Sequence, residues 1–161
     1  EQLSQTYSDA RGLARGFSSG LPQLVSRVEN LREEHAGLKT LLEDIRLEVA
    51  RHRVEAAPSH AWNGGVLKVL ELENLELMSA VTKVLGALEH TLGIVYGEGK
   101  VAVTSTMSVR AGDVLRELLE RSGGKGGGRP ELAQGSADLA KLKEAIERWV
   151  RSSAQIPEVK S

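Results

Sequence analysis

Five of the six residues from Gly123 to Gly128 are glycine, at the head of the stretch GGKGGGRPELAQG that closes at Gly135. Arg121, Lys125 and Arg129 lie in or beside it, with no acid between Arg121 and Arg129. Each interior glycine costs a helix about 1 kcal/mol relative to alanine, and glycine also weakens a strand. The residues therefore predict a loop. Successive glycine amides beside cations can cradle an anion, and the free N–H groups of a helix starting near Ser136 would join that cradle. The competing readings are a structural turn and a flexible linker. Against the linker stand the missing serine-rich spacing and the locally rigid Arg129-Pro130 pair.

Other chemistries find little support. No Gly-x-Ser-x-Gly elbow accompanies the serines and histidines. The glycine stretch lacks the Gly-Lys-Ser/Thr ending of a phosphate-binding P-loop. It follows a helical segment, whereas a dinucleotide fingerprint follows a strand. The histidines are His35, His52, His60 and His90. His35 and His52 fall on one helical seam, where polar residues commonly set register, and no metal-ligand spacing emerges. The carboxylates are scattered over solvated helix faces. No catalytic constellation and no metal site are expected.

The 161-residue chain has a formal net charge of -1, so no global basic field directs it to nucleic acid or membrane. With no cysteine it has no disulfide framework, no thiol nucleophile and no thiolate metal site, and a reducing compartment suits it. No apolar run approaches the ~18 residues of a membrane span. The chain opens on Glu1 rather than methionine, as expected of a piece cut from a longer protein. Aromatic residues make up only 3% of the chain, so leucine, valine, isoleucine and alanine must build its core.

Residues 1–57 read as a helical subdomain. Leu3, Tyr7, Ala10, Ala14 and Phe17 step by three and four, SSGLP at 18–22 predicts a break, and a longer seam follows. Its a positions are Val28, His35, Leu42 and Val49; its d positions are Leu24, Leu31, Leu38, Ile45 and His52. That is the heptad pattern of a coiled coil. The e positions Arg32, Lys39, Arg46 and Arg53 are basic, and Glu34 and Glu48 stand at g. A parallel pair could join Glu34 to Lys39 and Glu48 to Arg53; an antiparallel pair would set basic e positions against each other. Within one chain, the first helix could fold back on the second as an antiparallel hairpin.

Residues 58–65 read as a linker, because Pro58, Asn63, Gly64 and Gly65 break helices and turn chains. From 66 to 152 the pattern predicts a small α/β domain ordered β-α-β-β-α-loop-α. In its first strand Val66, Lys68, Leu70 and Leu72 share one face, and Leu67, Val69 and Glu71 the other. A helix with a Leu77, Val81, Val84, Leu85 and Leu88 stripe follows, then a hairpin turning at Gly97-Glu98-Gly99. A helix carrying Val109, Val114, Leu115, Leu118 and Leu119 leads into the glycine stretch, and a last helix closes the domain. Residues 153–161 read as a frayed tail. The expected class is α+β.

The glycine stretch also resembles the signature of the C-terminal domain of alanyl-tRNA synthetases, the C-Ala or DHHA1 domain. Gly123, Gly124, Lys125, Gly126, Gly127, Gly128, Arg129, Pro130, Ala133 and Gln134 match its pattern. The preceding SVRAGDVLRELLERSG, the following DLAKLKEAIERWV and the long helical segment also resemble that family. The resemblance covers about 66–150 by sequence, and 1–60 by architecture. It implies a non-catalytic module that binds the elbow of alanine tRNA, pairs with a second copy, and supports aminoacylation and editing by the rest of a cytoplasmic class II parent. The RNA-contacting residues would be Gly123, Gly124, Lys125, Gly126, Gly127, Gly128, Arg129 and Arg121. The dimer seam would be Leu24, Val28, Leu31, His35, Leu38, Leu42, Ile45 and Val49. ATP and zinc would belong to the parent alone, and this chain would hold no cofactor. It has neither class II synthetase motifs nor the His-x-x-x-His and Cys-x-x-x-His pair of the editing module. Two alternatives stay open: the C-terminal domain of a free-standing alanyl-tRNA editing deacylase, and a coiled-coil oligomerisation module whose glycine loop is structural.

Overall fold

Leu21, Leu24 and Val28 carry the four–three apolar steps of the chain straight on from Phe17. In the computed structural model, which describes the backbone of residues 2–159 and the side chains of 21–153, that continuity outweighs the expected break at 18–22. Helix α1 (Gln2–Ala56) runs through Pro22 without a break. An interior proline costs about 3 kcal/mol through one lost N–H and one crowded carbonyl, and the apolar steps on both sides remain in phase. The expected antiparallel hairpin is thus replaced by a single helix. The side chains of Leu3, Tyr7, Ala10, Ala14 and Phe17 lie outside the described residues.

The chain divides into two units, 1–44 and 45–161. In the first, the described part of the seam is uncovered. Leu31 and Leu38 are 62% and 65% exposed, and Leu24, Val28 and Leu42 are exposed as well. His35 is also exposed.

The second unit is a six-stranded sheet whose strands lie side by side in the order β1 (Ser59–Trp62), β2 (Gly65–Glu71), β3 (Thr91–Gly97), β4 (Lys100–Ser105), β6 (Leu132–Ser136) and β5 (Lys125–Gly128), with helices on both faces. Strand β1 (Ser59–Trp62) pairs antiparallel with β2 (Gly65–Glu71). It occupies half of the segment expected to be linker. Asn63 and Gly64 join the two strands, both with positive φ (50° and 81°), as a type I′ hairpin turn requires. Trp62 is buried and lies 5.6 Å from Trp149, centroid to centroid. Strand β2 then crosses through helix α2 (Met78–Gly86) to the parallel strand β3 (Thr91–Gly97). Strand β4 (Lys100–Ser105) returns antiparallel to β3. Their turn again has two positive φ values, at Glu98 (48°) and Gly99 (83°).

Helix α3 (Ala111–Ser122), β5 (Lys125–Gly128), β6 (Leu132–Ser136) and helix α4 (Leu139–Val159) complete the unit. The segment expected to be a glycine loop is therefore a two-stranded edge of the sheet. The backbone of α4 is helical through Val159, past the expected frayed end at 153, with Asp138 Oδ1 accepting from Ala140 N (3.1 Å) and Lys141 N (3.2 Å) at its start.

The period-2 alternation holds. Leu67 and Val69 of β2, with Leu92, Ile94 and Tyr96 of β3, pack towards the core that includes Leu115, Leu118, Leu142 and Ile146. Leu70, Leu72 and Val95 point the other way, into a core with Val81 and Leu85 of α2 and with Ala50 and Val54 of α1. Leu77, Val84 and Leu88 line that same core, as their helical stripe predicts. Lys68 Nζ donates to Val54 O at 2.8 Å, joining Ala57 N (3.3 Å) on a carbonyl of the last turn of α1. Burial, together with the neighbouring Glu71 carboxylate, pushes the Tyr96 phenol up to about 12.

Among the described residues, one buried polar side-chain atom has no partner. Thr104 is 3% exposed, and its Oγ1 makes no hydrogen bond. A buried unpaired hydroxyl costs about 1–3 kcal/mol. Thr104→Val exchanges that hydroxyl for a methyl of nearly equal size. We expect a gain of about 1 kcal/mol, read as a rise of a few degrees in the thermal midpoint. A fall would mean that the hydroxyl is hydrogen-bonded in solution.

Candidate nucleic-acid interface

The glycine-rich edge is tied to α3 at both ends. Gly123 takes the left-handed conformation (φ 74°) that terminates the helix, and its N–H donates to Leu119 O at 2.8 Å. Gly124 N adds a second bond to that carbonyl at 3.1 Å. At the other end, Pro130 O accepts the Ala111 N–H at 2.8 Å. Helix α3 has no side-chain cap from Arg110, so the turn between β5 and β6 supplies an acceptor for one of the free N–H groups at the helix start.

Most glycines of the stretch are there because backbone comes close. A Cβ on Gly124 would stand 2.3 Å from Ser136 O, one on Gly126 2.5 Å from Gln134 O, and one on Gly128 2.4 Å from Ala133 Cα. A Cβ on Gly135 would meet Leu119 and Lys125 O at 2.9 Å. Gly127 differs, since its Cβ position has nothing within 4 Å.

The direction of each peptide group follows from the ladder. Ser105 N donates to Glu131 O and Ala137 N to Gly99 O, each at 2.9 Å. In the antiparallel alternation, Ala133 and Gly135 then turn their backbone groups to β4, and Leu132, Gln134 and Ser136 turn theirs to β5. The bond from Arg129 N to Leu132 O, 2.8 Å, agrees with that phase. In the register Lys125↔Ser136 and Gly127↔Gln134, Lys125 and Gly127 therefore bond to β6. The N–H and C=O groups of Gly126 and Gly128 point outward over the free edge of the sheet.

Lys125 and Arg129 are exposed. Their even spacing along the extended chain puts both on the face away from α3. Beneath the edge runs a groove of about 400 Å³, lined by Leu115, Arg116, Leu119 and Glu120 of α3 and by the backbone of Gly124–Gly128. Arg116 was not among the sequence candidates. The signal for it is helical spacing: Gly112, Arg116, Leu119 and Glu120 fall at i, i+4, i+7 and i+8 on one face of α3. Arg121 belongs elsewhere, lining a recess with Lys141, Glu144 and Arg148 of α4. The structure thus gathers Gly124, Lys125, Gly126, Gly127 and Gly128 at one edge, places Arg129 at its end, and separates Arg121 from them. Among the described residues no three histidine or carboxylate side chains come together as a metal site, and no helix is long and apolar enough to cross a membrane.

The sequence profile of the DHHA1 domain matches residues 63–152, more than half of the chain. The chain belongs to the DHHA1 family. The alanine–tRNA ligase of Psychrobacter sp. (strain PRwf-1) is 25% identical over 167 residues, covering 93% of this chain and 18% of the ligase. That of Staphylococcus epidermidis (strain ATCC 12228 / FDA PCI 1200) is 32% identical over 138 residues, covering 77% of this chain and 16% of the ligase. The chain therefore spans under a fifth of the length of these relatives. RecJ in complex with Mg²⁺ from Thermus thermophilus shares the fold, with a TM-score of 0.55 at 21% identity over 71% of this chain and 18% of RecJ. The similarity to alanine–tRNA ligases extends beyond the DHHA1 domain into the helical segment before it.

Proposed function

We propose that this chain is the non-catalytic C-terminal module of a cytoplasmic alanine–tRNA ligase, in which the DHHA1 domain holds the elbow of alanine tRNA and helix α1 pairs with a second copy. The observation that carries the RNA half is the β5 edge. Three consecutive residues without side chains, Gly126–Gly128, are exposed between Lys125 and Arg129. A flat base pair can approach such a backbone, the two cations can meet phosphates, and the Arg129 guanidinium can stack on a base. Contacts of this kind read shape and backbone rather than sequence. They suit an elbow, which offers exposed tertiary base pairs and clustered phosphates. Aminoacylation and editing would be carried out by the remainder of the parent enzyme.

The test is filter binding of the chain to alanine tRNA across a salt series, with an acceptor-stem minihelix as control. We expect salt-sensitive binding to the full tRNA and none to the minihelix. Replacing both Lys125 and Arg129 with alanine should weaken binding by roughly ten-fold or more and reduce the salt slope by about 2. The melting temperature should stay nearly constant, because both side chains are exposed.

A second reading has its own observation. The close approaches at Gly124, Gly126, Gly128 and Gly135 account for those glycines without any ligand. On that reading the chain is an oligomerisation module with a structural hairpin. Failure to bind either RNA at low salt, with dimerisation intact, would select it.

A further inference from the structure

We infer that the open edge of β5 and the groove beneath it seat an extended acidic peptide as a seventh strand of the sheet. This goes beyond the tRNA reading and does not depend on it. Edge strands are normally protected by shortness, a lysine or proline, a bulge or inward charges. Strand β5 is only four residues long and starts at Lys125, but Gly126, Gly127 and Gly128 carry no side chain to cover the backbone, and among the described residues the outward N–H and C=O groups of Gly126 and Gly128 form an unpaired two-residue ladder. A guest strand would lie about 4.8 Å from β5, over the groove of about 400 Å³ between β5 and α3. Every second guest side chain would point down to the α3 side of that groove, where Gly112, Arg116 and Glu120 lie beside the buried Leu115 and Leu119.

Charge selects the guest. Lys125 and Arg129 stand four residues apart on the upper face, so acids four apart on the guest would meet both across the strands. Arg116 adds a third cation in the groove, against the single acid Glu120. A second copy of β5 fits poorly. The antiparallel register that pairs all three glycines sets Lys125 against Arg129 of the copy, and like charges directly opposite destabilise a sheet.

The probe is a capped Glu-Val-Thr-Val-Glu peptide added to the full chain. Amide exchange at the glycines is followed by nitrogen-15 NMR. In the free chain, the Gly127 amide should exchange slowly and those of Gly126 and Gly128 quickly. Millimolar peptide should slow Gly126 and Gly128 by about ten-fold or more, while a Lys-Val-Thr-Val-Lys peptide leaves them unchanged. The double variant Lys125→Glu and Arg129→Glu should reverse that preference without lowering the melting temperature. The inference is overturned if Gly126 and Gly128 are already as protected as Gly127, or if neither amide responds to the acidic peptide. It is also overturned if a single-stranded RNA oligonucleotide protects them and the peptide does not.

Discussion

Gly126→Val should destabilise the 45–161 unit by about 3 kcal/mol, the upper end of the usual cost of overpacking, whereas Gly127→Ala should change its stability by no more than about 0.5 kcal/mol. The two positions are neighbours in one exposed strand, and nothing in their composition separates them. The difference lies in what a Cβ would meet. At Gly126 it meets Gln134 O at 2.5 Å and Gly135 Cα at 2.6 Å, both backbone atoms of the paired strand that cannot rotate away. At Gly127 it meets nothing within 4 Å, and the backbone there does not need positive φ. For a unit of this size 3 kcal/mol corresponds to a fall of roughly 15 °C in the thermal midpoint. Equal tolerance at both positions would mean that the β5–β6 hairpin is not formed in solution.

If α1 pairs as proposed, the double variant Leu31→Glu and Leu38→Glu should turn that dimer into a monomer. Both leucines lie on the heptad seam and are among the most exposed apolar side chains of the described residues. An unpartnered stripe of this kind marks an interaction surface, and its heptad spacing fits a second helix. Burying a leucine contributes about 1.5–3 kcal/mol. Losing two per chain should therefore raise the dissociation constant by at least about 100-fold. Sedimentation velocity over a concentration series reads the change, and the melting of the 45–161 unit should be unaffected. A wild-type chain that sediments as a monomer at high micromolar concentration would rule out the pairing.

Much of the 45–161 unit is legible residue by residue. The alternation of Leu67 and Val69 against Leu70 and Leu72 gives both faces of β2, because successive side chains of a strand oppose each other. The stripes of α2 and α3 lie on their cores as their spacing requires. The Gly97-Glu98-Gly99 turn is legible through Gly99, whose positive φ glycine accepts without strain, whereas Glu98, also at positive φ, gives no such signal. Strand β1 is equally readable from Asn63-Gly64, a strong hairpin signal, but Pro58, Asn63, Gly64 and Gly65 taken together suggest a linker. The proline at 22 misleads in the opposite sense. A local helix breaker suggests two helices, and the unbroken apolar phase on either side makes one.

The candidate site is legible in its location but not in its form. Lys125, Arg129 and the glycines are conspicuous in the sequence, whereas Arg116 enters only when α3 is laid along β5. Local rules reach only a few residues: helical period, strand alternation and turn chemistry each act between near neighbours, and the elements they govern follow from the chain itself. Glycine escapes those rules, because a missing Cβ serves a flexible loop, a ligand cradle and a tight backbone contact equally well. Which of these Gly124, Gly126 and Gly128 serve depends on Ser136, Gln134 and Ala133 coming within 2.3–2.5 Å of where their side chains would begin. That proximity arises from the pairing of β6 with both β4 and β5, and from the packing of α3 across them. It is a property of the assembled sheet, and it turns a run of poor strand-formers into the strand at its edge.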